Sequence, residues 1–396
     1  MKRGLSAATV VMLLAAALAI GPAPSATAET NTDKSQLQVW TVNIRKMHHI
    51  GPNVWRKFVR RVANHDVRPD LIAVTEMCNQ DVGGSAWNDA FEFMMYLEGQ
   101  TGIDYANEHA GAPGTACDVA NSMVIWREDR FELGKKPQMK KWSSFTENPK
   151  DDDVFCSKND GNNLQQVAVA LWDKKQKKNL VFSSVHVPVR DSFSCINENV
   201  SFMDNVFEDL RPKRPLTIVG GDFNAMAQRE STSPGDELAA GTQVDPSCWY
   251  RSLNLLTVDD LTNCVTSPKH APDRYSSSTD HYLDTVHVRH LGPTPGTTDP
   301  SICDEWTHNR KFATKGTACT DVHGKDGVPD GLTDRGRIDY IFARWEQSNG
   351  DALPIDSTNA PSLVTDAAAD KMAPPRYADH RAVRALIEWC LPIDPC

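Results

Sequence analysis

Several short apolar runs in this chain, each of strand length, stop on a polar residue that a buried strand would not choose for packing. Val39-Trp40-Thr41-Val42 runs into Asn43, and Leu71-Ile72-Ala73-Val74-Thr75 runs into Glu76. Val181-Phe182-Ser183-Ser184-Val185 runs into His186, and Leu216-Thr217-Ile218-Val219-Gly220-Gly221 into Asp222-Phe223-Asn224. Arg337-Ile338-Asp339-Tyr340-Ile341-Phe342 carries an acid within the run, and Tyr377-Ala378-Asp379-His380 precedes the last run. Runs this short and this rich in β-branched residues predict buried strands.

Strand patterns are expected at Leu37 to Ile44, Leu71 to Thr75, Ser122 to Trp126, Val167 to Trp172, Leu180 to Val187, Leu216 to Val219, Ile338 to Phe342 and Ala382 to Ile387. Helical patterns interrupt them. Behind Gly51-Pro52, the residues Val54, Phe58 and Val62 recur every fourth position, with Trp55 and Val59 widening the stripe. Further helices are expected over Trp87 to Leu97 and Val200 to Leu210. Alternation of this kind predicts an α/β layered architecture built as one domain. The stretch from Ala225 to Arg335 is rich in Ser, Thr, Pro, Gly and Asp, carries four cysteines and lacks sustained periodicity. It reads as a disulfide-rich insertion at about 225–335 within that domain.

The first 28 residues read as an export signal, and the domain is expected over 29–396. Lys2 and Arg3 lead into an apolar run from Ala7 to Ile20, and Ala26-Thr27-Ala28 offers a small-residue cleavage site. That run is 14 residues long, short of the roughly 20 that cross a bilayer, so no stable membrane anchor is expected and the chain is expected to be secreted. All ten cysteines follow the signal, no CxxC pair occurs, and the spacings are unlike those of zinc ligands. Structural disulfides are the expectation, with Cys248/Cys264, Cys303/Cys319 and Cys390/Cys396 as local candidates. Cleavage removes two cations and no acid, taking the net charge from −10 to −12. Bulk attraction to a polyanion is therefore not supported, and phosphate recognition is expected from a local basic cluster or a bound cation.

A strand-end Asn or Asp taken alone commonly starts a turn, and a lone His is more often structural. Together these residues supply what phosphodiester cleavage needs: carboxylates for a hard cation, amides to orient phosphate oxygens and imidazoles to move protons. Val42-Asn43-Ile44, Thr75-Glu76, Val185-His186-Val187, Gly221-Asp222-Phe223-Asn224, Arg337 to Phe342 and Ala378-Asp379-His380, in this order, resemble the endonuclease/exonuclease/phosphatase superfamily, the DNase I-like group. The resemblance covers residues 37 to 389. It implies a four-layer α/β/β/α sandwich, two packed mixed β-sheets flanked by helices, with the site at one edge of the sheets.

Carried over position by position, the resemblance implies that Glu76 is the main ligand of Mg²⁺ or Mn²⁺, joined by Asn43 and Asp379. His380 would transfer the proton of the attacking water, oriented by Asp339. Asp222 and Asn224 would position water and phosphate, and His186 would stabilise the developing charge or protonate the leaving oxygen. Arg45, in Asn43-Ile44-Arg45, would contact substrate phosphate.

Two other clusters compete for attention. Thr279-Asp280-His281 is a second Asp-His pair, but it precedes the Arg337 to Phe342 motif and no short terminal strand follows it. Asp321, Asp326, Asp330 and Asp334, interleaved with glycines, suggest a structural Ca²⁺, although their spacing fails the EF-hand pattern and a solvated acidic turn is favoured. A histidine at position 186 fits the DNase I, sphingomyelinase and 5-phosphatase branches. Export then leaves extracellular nucleic acid, with DNA favoured, or phospholipid head groups as substrate. The remaining alternative is a non-catalytic binding or toxin-associated subunit. No obligate protein partner is evident.

Overall fold

The computed structural model describes residues 35–45, 54–78, 89–111, 121–135, 137–147, 156–158, 164–187, 199, 202–203, 205–210, 216–224, 282–285, 308–309, 335–336, 339–346, 363–370 and 380–389. The expected signal, Asp379, the Asp280-His281 pair, the acidic run from Asp321 to Asp334 and most of 225–335 lie outside them. The elements in chain order are β1 (Gln36–Asn43), α1 (Val54–Ala63), β2 (Leu71–Met77), α2 (Asp89–Thr101), β3 (Tyr105–His109), β4 (Asn121–Arg127), β5 (Phe131–Leu133), β6 (Met139–Ser143), β7 (Phe145–Glu147), β8 (Cys156–Lys158), β9 (Gln165–Asp173) and β10 (Lys178–His186). They continue with β11 (Leu216–Asp222), β12 (Leu283–Asp284), β13 (His308–Asn309), β14 (Arg335–Gly336), β15 (Asp339–Trp345), β16 (Val364–Ala369) and β17 (Val383–Glu388).

One sheet has the order β16-β17-β1-β2-β4-β3 and the other β12-β15-β11-β10-β9-β5, with β6 also pairing β9. Among the described residues each sheet contains a single parallel pair, β1/β2 in the first and β10/β11 in the second, among antiparallel neighbours. Small antiparallel ladders join β7 to β8 and β13 to β14.

Alternation along each strand divides the apolar side chains into three cores, which sets the layers. Val39, Leu71, Val124, Val169, Phe182, Ile218 and Ile341 meet between the sheets. Trp40, Val42, Ile72, Val74 and Ile125, on the opposite face of the first sheet, pack on α1 and α2. Val181, Val185, Val219, Tyr340 and Phe342, on the outer face of the second, pack on Met203, Val206, Phe207 and Leu210 of the helical stretch around 205–209. The fold is therefore the α/β/β/α sandwich with mixed sheets.

In α1 the buried residues Trp55, Phe58, Val59 and Val62 follow the expected stripe. Arg60 and Arg61 occupy its last turn, where cations suit the carbonyl end of the helix dipole. Phe93 of α2 packs against both Trp55 and Phe58. Where β12 is described, the long 225–335 stretch adds an edge strand to the second sheet, and Thr285 donates to the Ile341 carbonyl beside it. Among the described residues no helix is long and apolar enough to cross a membrane. Cys78, buried just past β2, is disulfide-bonded; the side chains of the other cysteines lie outside the described residues.

Candidate active site

Both parallel pairs end at the same edge of the sandwich, and the polar residues of the sequence motifs end with them. His186, Asp222 and Asp339 occupy one row of the second sheet, since His186 is paired with Asp222 across β10/β11 and Asp222 with Asp339 across β11/β15. Asn43 closes β1 on the facing sheet, level with Thr75. Two glycines permit this approach. A Cβ on Gly220 would sit 2.8 Å from the Ala73 side chain of the opposite sheet, and one on Gly221 would sit 1.9 Å from the Val185 carbonyl.

Strict alternation points Glu76 the wrong way. Ile72 and Val74 face the helices, so an undisturbed strand would send Glu76 there too. Between the Val74/Met123 and Met77/Asn121 pairs, β2 carries one more residue than β4. Glu76 in that bulge has φ 55°, and Met77 takes the place in the helix-side core. Of the four described non-glycine residues with positive φ, three are Arg45, Glu76 and Asn224, all belonging to this edge. Backbone held in such sparsely populated conformations commonly marks functional sites.

Asp222 is the centre of the cluster. Its Oδ1 accepts from the Asn224 backbone N–H at 2.7 Å and its Oδ2 from Asn43 Nδ2 at 2.8 Å. The same Asn43 Nδ2 reaches Glu76 Oε1 at 3.0 Å, so one amide gathers two carboxylates. Nε2 of both His186 and His380 lies 3.8 Å from Asp222 Oδ2, and His186 Nε2 lies 3.9 Å from Glu76 Oε1. His380 Nδ1 donates to Asp339 Oδ2 at 2.8 Å, which leaves Nε2 as the ring's acceptor. Asn224 Nδ2 donates to the Val187 carbonyl at 2.7 Å and faces His186 Nε2 at 3.0 Å. A donor on Nε2 makes His186 a neutral ring protonated on Nδ1.

Electrostatics follow from burial. Asp222, Asp339, His186 and His380 are all buried, whereas Glu76 is partly exposed. Burial first, and the Asp339 carboxylate second, push Asp222 up to about 8 against the pull of His380, Asn43 and Asn224. Burial also holds His186 below the ordinary imidazole range, with Glu76 opposing it.

Asn43, Glu76, His186, Asp222, Asn224, Asp339 and His380 are thus brought together. Arg45 sits beside them, its backbone N–H on Asn43 Oδ1 at 2.8 Å. Asp379 lies outside the described residues. Asn43 differs in orientation from an oxygen ligand: Nδ2 faces the carboxylates, and releasing Oδ1 to a cation requires the amide to turn away from Arg45. Among the described residues two groups offer ligand atoms within 4.8 Å of one another, Glu76 with His186 and Asp222, and Asp222 with Asp339 and His380. Carboxylates crowded around one amide, with Asp222 pushed up in pKa, fit a divalent cation, which would supply the charge they lack.

Sequence reasoning missed Ser144 and Gln166, which bond the backbone carbonyl of His186. Gln166 is the second residue of β9, ahead of an apolar run; its only signal was an amide where alternation called for an apolar residue.

No family model matches the chain, and no curated protein does. Among solved structures, an endonuclease/exonuclease/phosphatase family protein from Leptotrichia buccalis is similar at 14% identity, covering 89% of this chain and 99% of its own, with a TM-score of 0.48. D. rerio TDP2, solved with a single-strand DNA product, has 12% identity, covers 89% and 98%, and gives 0.47. A mannosyl-6-phosphatase from Bacteroides thetaiotaomicron has 15% identity, covers 89% and 99%, and gives 0.45. The strand order and three cores described above define the sandwich without help from these distant likenesses. That sandwich, with the motif residues gathered at one edge of its sheets, is the fold that the sequence resemblance implied.

Proposed function

We propose that this chain is an exported, divalent-metal-dependent phosphodiesterase that cleaves by in-line attack of water. The observation that carries the reading is the Asp339–His380 pair aimed across Asp222, with Glu76 and His186 beyond it. Asp339 fixes the His380 tautomer, so Nε2 can take a proton from water. Asp222 and the Asn224 backbone orient groups on the phosphate side. Glu76 and Asp222, with Asp379 as the expected addition, would hold Mg²⁺ or Mn²⁺. When bound, the cation supplies charge neutralisation for the phosphate oxygens. His186, whose Nε2 carries no proton in this tautomer, would stabilise or protonate the leaving oxygen only after taking up a proton at that atom.

DNA is the favoured substrate, with Arg45 beside Asn43 as the phosphate contact; phospholipid head groups are the alternative. The test is to assay the purified protein with Mg²⁺, Mn²⁺ or chelator on plasmid DNA, RNA, sphingomyelin and inositol phosphates. Nicking that chelator and His380→Ala both abolish supports the nuclease. Sphingomyelin turnover without nicking moves the substrate to lipid. Full activity in Glu76→Ala removes the metal assignment.

A further inference from the structure

We infer that Gln166 and Ser144 are positioning residues for His186, a clamp on its main chain that sets where its ring stands. The inference rests on the phosphodiesterase reading only for its kinetic consequence. Ser144 Oγ donates to the His186 carbonyl at 2.9 Å, and Gln166 Nε2 donates to the same oxygen at 3.2 Å. Gln166 Nε2 also donates to Ser144 Oγ, closing a three-membered ring of hydrogen bonds. The Ser144 backbone N–H is tied to the Leu164 carbonyl at 3.0 Å, which anchors the ring to the start of β9.

Such an arrangement is a poor choice for packing alone. Ser144 and Gln166 are both fully buried, and among the described residues Gln166 Oε1 has no hydrogen-bond partner. Leucine would fill the space without a stranded carbonyl, and an unpaired buried acceptor is destabilising. The donor end of the amide is what the position supplies. Its orientation is fixed as well, because turning the amide over would set Oε1 against the His186 carbonyl.

The clamp completes a set of restraints on one corner of the site. The Val187 N–H bonds the Asp222 carbonyl at 2.9 Å, and Asn224 Nδ2 bonds the Val187 carbonyl and faces the His186 ring. Ladder pairing between β10 and β9 ends at Ser184 with Val167, two residues short of His186. On that side Ser144 and Gln166 stand in for the missing strand partner. Losing them frees the His186 backbone while leaving every atom that faces substrate unchanged.

The test uses the full chain with Gln166→Leu, Ser144→Ala and Ser144→Thr. Histidine-selective ¹⁵N spectra of the metal-free protein, with His186 assigned through His186→Ala, read the ring directly. The His186 signals are expected to move in Gln166→Leu and Ser144→Ala and to return in Ser144→Thr, while those of His380 stay. With Mg²⁺ and a phosphodiester substrate, kcat falls roughly tenfold in Gln166→Leu at unchanged KM. In the His186→Ala background the same substitution has no further effect. Unmoved His186 signals in both Gln166→Leu and Ser144→Ala overturn the inference, and so does a Gln166→Leu loss that persists undiminished without His186. Absence of metal-dependent activity in the wild type sinks the proposed function instead, and the spectra still decide the clamp.

Discussion

The two ends of the sandwich both bury charge, and they treat it in opposite ways. At the end where β2 begins, Arg130 bridges the sheets, with Nε 2.9 Å from Asp173 and Nη1 3.1 Å from Asp70. Asp70 also accepts from the Gln38 N–H, Asp173 from the Lys175 and Gln176 N–H groups, and Arg130 donates to the Gln36 carbonyl. Each buried acid there meets a cation and at least one backbone donor; burial still raises the Asp70 carboxyl, but Arg130, the Gln38 N–H and Arg127 all oppose it. At the end where β2 finishes, Asp222 meets Asp339 and Glu76 through neutral amides and imidazoles, and its pKa climbs to about 8. Charge that is matched holds the sheets together. Charge left unmatched is where the proposed cation and proton transfer would find their place.

The sharpest way to break this contrast is to cut each end in turn. Arg130→Ala strands Asp173 and leaves Asp70 with Arg127 alone, 3.8 Å away, and unfolding by denaturant should record a loss of about 3–5 kcal/mol, the usual cost of leaving a buried ion pair half removed. A loss below about 1 kcal/mol would mean the clamp does not join the sheets. His380→Ala should do the reverse. It is expected to lower kcat by about 10²–10⁴-fold, the range for a general acid–base group, with little change in the unfolding midpoint. Equal damage to stability at both ends would erase the distinction.

Mg²⁺ or Mn²⁺ tests which end lacks charge. At a concentration one hundred times its dissociation constant the ion should stabilise the fold by about 2.7 kcal/mol. That gain should vanish in Glu76→Gln and persist in Lys140→Ala, where the cation removed pairs with Asp209 on the surface. A shift of the same size in Glu76→Gln would place the ion elsewhere.

Much of this was readable in the sequence, and the exceptions have physical causes. The strands that the runs predicted are all present, because apolar runs buried on both faces announce themselves. β3, Tyr-Ala-Asn-Glu-His, is an edge strand with an exposed middle, and β16, Val-Thr-Asp-Ala-Ala-Ala, has a composition better suited to helices; pairing with β4 and β17 decides both. Strand-end polarity pointed to Asn43, Glu76, His186, Asp222 and Asn224. It could not supply the bulge that turns Glu76 towards the others, nor the side chains of Ser144 and Gln166, whose partner is a backbone carbonyl distant in sequence.

The smallest effect is the most diagnostic. In the folded, metal-free protein Asp222 holds its proton up to about 8, whereas the ordinary value is 3.8. Between those values the folded state binds a proton that the unfolded chain has released. Stability from this group is therefore present in full below the unfolded value and drains away as pH rises through the window. Metal-free thermal unfolding should accordingly fall from about pH 5 to pH 8 more steeply in the wild type than in Asp222→Asn, which cannot titrate. The asparagine variant should also be the more stable of the two at pH 8, by about 1 kcal/mol, while losing activity, since it removes a like charge that only function requires. Arg130→Ala, at the matched end, has the opposite sign. A steep slope retained in Asp222→Asn would assign the titration to another group and leave the acid cluster without the unmatched charge that distinguishes it.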